Sequence, residues 1–240
     1  MGITQSPLHL NTFSIVAYDP ASRMFGVGAS TKVPAVGVLV PYVRAGVGAI
    51  ASQARVNPLL GCDGLDLLEE GHDAEETLRI LLSSDPEVER RQVGIVDSLG
   101  NTAAHTGALT DSWRGHLRGE GYTVMGNLLT GEEVVIAMAK AFETSEGEPL
   151  AERLVRALEA GQEAGGDKRG RQSAAIRMIE SQPYPYLDLR VDEHQDPVAD
   201  LRRIYEVAKV ELLPFIDALP TRENSKASLG EEIRGTLIPE

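Results

Sequence analysis

Two short apolar runs near the start of the chain, Thr12-Phe13-Ser14-Ile15-Val16-Ala17-Tyr18-Asp19 and Phe25-Gly26-Val27-Gly28-Ala29-Ser30-Thr31-Lys32, flank the turn residues Pro20-Ala21-Ser22-Arg23. The pattern predicts an antiparallel hairpin, since successive strand side chains point to opposite faces and turn residues punctuate the runs. Alternation puts Thr12 and Ser14 on one face. If the turn pairs Tyr18 with Met24 or Phe25, Thr12 falls opposite Ser30 or Thr31, and Lys32 closes the same end.

Further strands are expected over 46–53, 92–97, 102–107, 122–127, 172–180 and 186–191. The pair 92–97 and 102–107, joined by Ser98-Leu99-Gly100-Asn101, reads as a second hairpin that echoes the first in layout. Val33 to Val43, interrupted by Pro34 and Pro41, reads as buried strand and turn, and Ala54 to Pro58 as a polar turn. Apolar residues at helical spacing predict helices over 59–70, 74–82, 132–144 and 149–163, with Asp73 as an N-cap. Asp196-Pro197 opens another helix, with Val198, Leu201, Tyr205, Ala208 and Leu212 on one stripe. Strands in hairpins and helices in pairs, without strict βαβ alternation, argue for an α+β fold of mainly antiparallel sheets covered by helices. A four-layer arrangement of helices, two sheets and helices fits. The organisation expected is an N-terminal extension over 1–11, a single domain over 12–220, and a polar tail or oligomer arm over 221–240.

The 240 residues suffice for a core without disulfides, and Cys62 is the only cysteine. No segment reaches the roughly 20 apolar residues of a membrane helix, and no secretory leader is legible, so a cytoplasmic protein is expected. Gly2-Ile3-Thr4-Gln5-Ser6 meets the loose myristoylation pattern without a following basic patch. The net charge of −13 repels phosphate backbones, which argues against nucleic acid as a partner.

The candidate chemistry gathers at the open end of the first hairpin. A hydroxyl on the first residue of a strand can act as a nucleophile when its own freed α-amine serves as base, and Thr12 is placed for this once Asn11-Thr12 is cut. Ser30, Thr31 and Lys32 would position the nucleophile or stabilise an oxyanion, although hydroxyls at strand ends are also ordinary turn chemistry. His105, at a strand end before Gly107, is either a base or hydrogen-bond donor, or a satisfied histidine at a sheet edge. The loop 165–173 packs Asp167 and Arg169 between glycines, either to bind a substrate carboxylate or as a C-cap and connection. Gln53 and Asn127, each at the end of an expected strand, complete the substrate-binding candidates. The remaining histidines lack metal-ligand spacing, so no metal is expected. Gly46-x-Gly48-x-x-Ala51 lacks the βαβ context of a dinucleotide site, and no cofactor is expected.

Several ordered stretches resemble the bacterial domain-of-unknown-function family numbered 1028, grouped with the N-terminal nucleophile (Ntn) hydrolases. They include Thr12-Phe13-Ser14-Ile15-Val16-Ala17, Arg91-Gln92-Val93-Gly94-Ile95-Val96-Asp97, Ala104-His105-Thr106-Gly107, Gly126-Asn127, Gly166 to Ala175 and Tyr184 to Val191. The resemblance implies the Ntn αββα sandwich. The first hairpin is also similar to that of the Ntn asparaginases. Ser30 and Thr31 match the Ser-Thr of their Thr-Ser-Thr-Gly-Gly run, while Lys32-Val33 replaces the Gly-Gly. The expectation is an amidohydrolase cutting a small amide or peptide-like bond with Thr12 as nucleophile, in a homo-oligomer. Its rivals are an Ntn-like domain that binds a small metabolite without cutting it, and a structural oligomer component.

Overall fold

A computed structural model describes residues 9–226 of the chain. Most of the expected extension, 1–8, and of the expected tail, 227–240, lies outside the described residues. The chain runs β1 (His9–Leu10), β2 (Thr12–Asp19), β3 (Met24–Thr31), α1 (Val36–Leu39), β4 (Pro41–Arg44) and β5 (Gly48–Arg55). Then come α2 (Pro58–Glu69), α3 (Ala74–Ser84), β6 (Arg91–Asp97), β7 (Thr102–Thr106), β8 (Gly115–Gly119) and β9 (Tyr122–Gly126). The last part holds α4 (Glu133–Thr144), α5 (Leu150–Glu163), β10 (Ser173–Ile179), β11 (Leu187–Val191), α6 (Pro197–Glu211) and α7 (Leu213–Ile216).

The strands form two antiparallel sheets. One has the order β1-β5-β6-β7 with β4 also on β5, and the other the order β11-β10-β3-β2-β9-β8. The first hairpin is centred in the second sheet, where Tyr18 pairs with Phe25 and Thr12 with Thr31. The second hairpin, β6-β7, lies in the other sheet.

Alternation along these strands builds the layers. In β2, Phe13, Ile15 and Ala17 face a core shared with α4 and α5, while Val16 faces the other sheet. Burying a side chain such as Phe13 or Ile15 contributes about 1.5–3 kcal/mol. Between the sheets Val16, Val27, Ala29, Ala49, Ala51 and Val96 form a thin apolar layer. On the far side, Leu60, Leu65, Leu78 and Leu81 of α2 and α3 cover Ile50, Val93 and Ile95. The result is the α+β, four-layer αββα sandwich. Among the described residues no helix is long and apolar enough to cross a membrane.

Three local readings are corrected. Residues 33–43 hold a turn and the short helix α1, entered through Ala35 at φ 58°, before β4 begins at Pro41. The polar turn expected at 54 starts later, because β5 runs on to Arg55 and pairs there with β1. The strand β8 was not expected. It is a half-exposed edge of Gly-His-Leu-Arg-Gly, whose solvated positions blur the alternation that marks strands with a buried face.

Candidate functional site

The even-numbered face of β2 carries Thr12, Ser14 and Val16 into the space between the sheets. The apolar layer ends at Val16, and from Ser14 outward the space is lined with amides and hydroxyls. Ser14 Oγ donates to Gln53 Oε1 at 2.6 Å, and Gln53 Nε2 donates to Thr12 O at 3.0 Å and to Gln92 Oε1 at 2.8 Å. Asn127 Nδ2 also donates to Gln92 Oε1, at 2.9 Å, and the Asn127 backbone N–H reaches Thr12 O at 3.1 Å. Gln92 Nε2 donates in turn to Gly126 O at 2.9 Å and Thr106 Oγ1 at 2.9 Å.

The amide orientations support one another, because Gln92 can accept from two NH2 groups only through its carbonyl oxygen. Thr106 Oγ1, having accepted from Gln92, has its own proton for His116 Nδ1 at 2.8 Å, which puts the imidazole proton on Nε2. Burial pushes the His116 pKa down, and the nearby His105 and Arg118 push the same way, so the ring is neutral at neutral pH. Gln53, Gln92, Thr12 and Asn127 are all fully buried. Such a network is stable only when its members satisfy one another.

The second half of the site surrounds the carbonyl just before Thr12. Asn11 O accepts from Thr31 Oγ1 at 2.5 Å and from Arg169 Nη2 at 3.0 Å. Arg169 is aimed by Asp167, which takes its Nη2 at 2.7 Å, its Nε at 3.1 Å and its backbone N–H at 2.9 Å. Asp167 also accepts the Lys32 backbone N–H at 3.2 Å, which ties the end of β3 to the loop.

The loop is placed by the end of α5. Gly166 N–H bonds to Gly161 O and Gly165 N–H to Gln162 O, both at 3.1 Å, in the Schellman pattern. Gly165 and Gly166 sit at φ 120° and 59°, where glycine is favoured. Lys168 N–H on Leu128 O and Thr130 N–H on Gly166 O pin the loop beside Asn127. The glycine-flanked loop is therefore both a C-cap and a mount for Arg169.

Among the expected site residues, Thr12, Thr31, Gln53, Asn127, Asp167 and Arg169 come together around the Asn11–Thr12 peptide. Ser30, Lys32 and His105 do not. Thr31 lies on the inter-sheet face with Ala29 and Val27, so Ser30 must lie on the opposite face, where its Oγ donates to Ser173 O at 3.1 Å. Lys32 is exposed and its Nζ reaches Arg171 O at 3.1 Å. His105 pairs with Val93, whose side chain faces the helices, and the imidazole Nε2 lies 3.0 Å from Val88 O. It is a satisfied edge histidine.

Asn11, Gln92, Thr106 and His116 were not anticipated. The signal for Gln92 was available: it is a polar side chain beside the apolar run Val93 to Val96, in phase with the inward Gly94 and Val96. Thr106 shares that phase through its pairing with Gln92.

Two buried acceptors in the site, Asn11 Oδ1 and Asn127 Oδ1, have no hydrogen-bond partner among the described residues. Orphaned buried acceptors are costly, about 1–3 kcal/mol each, and so mark where a donor belongs. Among the described residues there is no group of three or more His, Cys, Asp or Glu that could hold a metal ion.

The family of unknown function DUF1028 matches over residues 12–201, beginning at the residue on which the site is built. A crystal structure of the DUF1028 protein SPO2555 from Silicibacter pomeroyi is 30% identical with a TM-score of 0.84, over 92% of this chain and 96% of that one. An ancestral β-subunit (Anbu) from Yersinia bercovieri is 11% identical with a TM-score of 0.38, over 87% of this chain and 98% of that one. No curated protein matches the chain. The chain belongs to the DUF1028 family.

Proposed function

We propose that this DUF1028 protein is an amide-bond hydrolase of the N-terminal nucleophile type, in which Thr12 Oγ attacks and the Asn11–Thr12 bond is the first to be cut. The observation that carries the reading is the pair of donors on Asn11 O, a hydroxyl from Thr31 and a guanidinium N–H from Arg169. Donors already in place where negative charge develops lower the barrier without reorganisation.

The sequence of bonds is as follows. Thr12 Oγ attacks the Asn11 carbonyl carbon, and the hydroxyl proton passes to the Thr12 nitrogen as the C–N bond breaks. An ester and a free α-amine result. Water then hydrolyses the ester to an Asn11 carboxylate and an N-terminal Thr12.

The freed amine, with a pKa near ~8, takes the Oγ proton in later turnovers and hands it to the leaving amine of a small amide or peptide-like substrate. Water releases the acyl group. Gln53 Nε2 and the Asn127 N–H hold Thr12 O, and with it the start of the strand, throughout. Asn127 Oδ1 supplies an acceptor for the new amine.

Incubation of the full chain at neutral pH, followed by intact mass and N-terminal sequencing, tests this. The expected product begins at Thr12, and Thr12→Ala is expected to stay whole. Loss of a hydrolase nucleophile costs on the order of a millionfold in rate. A Thr12→Ala chain cut at the same bond at the wild-type rate would sink the reading. A second reading is a metabolite-binding domain that does not cut, for which the buried amide oxygen of Asn127 would supply an acceptor to a ligand. Ligand-induced thermal stabilisation without product, unchanged in Thr12→Ala, would favour it.

A further inference from the structure

We infer that the substrate's acyl side is an extended peptide that adds to the edge of β5, with a residue no larger than asparagine before the cleaved bond. The inference rests on the hydrolase reading and deepens it, because residues 9–11 already occupy that place.

The chemistry makes the equivalence strict. Attack of Thr12 on its own Asn11 carbonyl gives an ester between the Asn11 acyl group and Thr12 Oγ. Attack on a peptide ending in the same residues would give the same ester. Whatever cradles Asn11 therefore cradles an acyl group, and the contacts of residues 9–11 describe how one is held.

Those contacts are of two kinds. First, β1 is antiparallel to β5, with His9 opposite Arg55 and Leu10 opposite Ala54. The edge is available to it because β4 starts at Pro41, which has no N–H to extend a ladder, and its pairing with β5 ends at Ala51. Ser52 N–H bonds to Val40 O instead, and among the described residues it is β1 that lies along the edge of β5 beyond it. An exposed sheet edge of this kind captures extended peptides through main-chain hydrogen bonds. Once residues 1–11 leave, the backbone of Ala54, opposite Leu10, is uncovered, while Arg55 O keeps its bond from Arg91.

Second, Asn11 is only 4% exposed, so the position before the cleaved bond is closed around a side chain of that size. Its Oδ1 nevertheless lacks a donor among the described residues, so the site limits size without demanding an amide. The far end of the edge is held rigid. Arg91 donates to Arg55 O and is clamped by Asp85, with Arg91 Nε 2.8 Å from Asp85 Oδ2.

The test uses the full chain after it has processed itself. The probes are acetyl-His-Leu-Asn, acetyl-His-Leu-Ala and acetyl-His-Leu-Phe amides of aminomethylcoumarin, with acetyl-Asn-aminomethylcoumarin as the form without a strand. In parallel, Asn11→Ala and Asn11→Phe chains are timed for self-cleavage. Asparagine and alanine tripeptides should be cut with kcat/KM about tenfold or more above acetyl-Asn, the scale of two backbone hydrogen bonds. The phenylalanine tripeptide should be poor, and Asn11→Phe should process slowly where Asn11→Ala does not.

Equal turnover with and without the strand, or of the phenylalanine and asparagine tripeptides, would overturn this inference and leave the hydrolase reading standing. A wild-type chain that neither separates at Asn11–Thr12 nor cleaves any probe would overturn both.

Discussion

At its first residue β2 meets a carbonyl clasped by two donors, and at its last it opens onto a groove of about 680 Å³. The open end is the larger space and holds more charge. It is lined by Asp19, Glu143, Glu146 and Glu148, with Arg153 stacked over the Phe142 ring at 3.8 Å. Yet its groups answer one another: Tyr122 OH donates to Glu143 at 2.5 Å, and Ser22 Oγ to Asp19 at 2.5 Å. The closed end is filled by the chain itself and still leaves two buried acceptors without donors. Unmet chemistry, more than empty volume, points to where a reaction would occur.

Substitutions that strike one end and spare the other sharpen this contrast. The largest effect on stability is expected from Asp85→Asn, which leaves Arg91 without its main partner. Their side chains are 2% and 9% exposed. Breaking a buried pair by removing one member costs about 3–5 kcal/mol, which urea unfolding at pH 7 would register. Burial raises the Asp85 pKa, but the Arg91 guanidinium, the Glu87 backbone N–H and the Asn57 amide together hold it below the ordinary carboxylate value. A lowered folded pKa contributes stability above the unfolded value of about 3.9, and that contribution fades as pH falls through the folded value. The advantage of wild type over Asp85→Asn should therefore be full above about pH 5 and shrink on acidification. An advantage that grows toward acid would contradict the assignment.

Thr31→Val tests the donor pair on Asn11 O. Loss of one such donor costs about 10²–10³ in rate, so self-cleavage should slow by that factor while the fold persists. Self-cleavage at the wild-type rate would remove Thr31 from the chemistry and leave Arg169 as the sole donor. Gln92→Leu strikes the network behind Thr12. It strips the acceptor from Gln53 Nε2 and Asn127 Nδ2 and the donor from Thr106, and should cost about 2–3 kcal/mol in unfolding free energy. It should also slow self-cleavage, because Gln53 and Asn127 position Thr12 O.

The course of β2 and β3 was legible because Phe13, Ile15 and Ala17 recur on one face of β2 and Phe25, Val27 and Ala29 on one face of β3, and the pairing of Thr12 with Thr31 follows from the length of the turn. The position of Ser30 was not. Adjacent strand residues face opposite ways, so a run of two hydroxyls always contains one that points elsewhere. The same one-residue parity separates His105 from Thr106. Judged by residue type the histidine was the stronger candidate, yet only Thr106 is in phase with Gln92. Arg169 was visible as a cation in a glycine loop, but its target, the Asn11 carbonyl, is 158 residues away in sequence and no local pattern encodes it. Backbone groups carry no side-chain signature, which is why a site built around a main-chain carbonyl is hard to read from composition.

The smallest effect is expected at the open end. Glu143→Gln removes the carboxylate that accepts from Tyr122 OH, while the amide oxygen of glutamine can still accept that proton. The pair sits at a half-exposed rim, where charged contacts are worth about 0–1 kcal/mol. Burial of the phenol and the neighbouring carboxylate both raise the Tyr122 pKa. The variant should therefore ionise Tyr122 at lower pH than wild type, a shift readable in the phenolate absorbance. Self-cleavage should proceed at the wild-type rate, since nothing at this end touches Asn11 O or the amide network. If Glu143→Gln slowed cleavage as Thr31→Val does, the two ends of β2 would be energetically coupled along its eight residues. The division between a reactive end and a merely charged one would then fail.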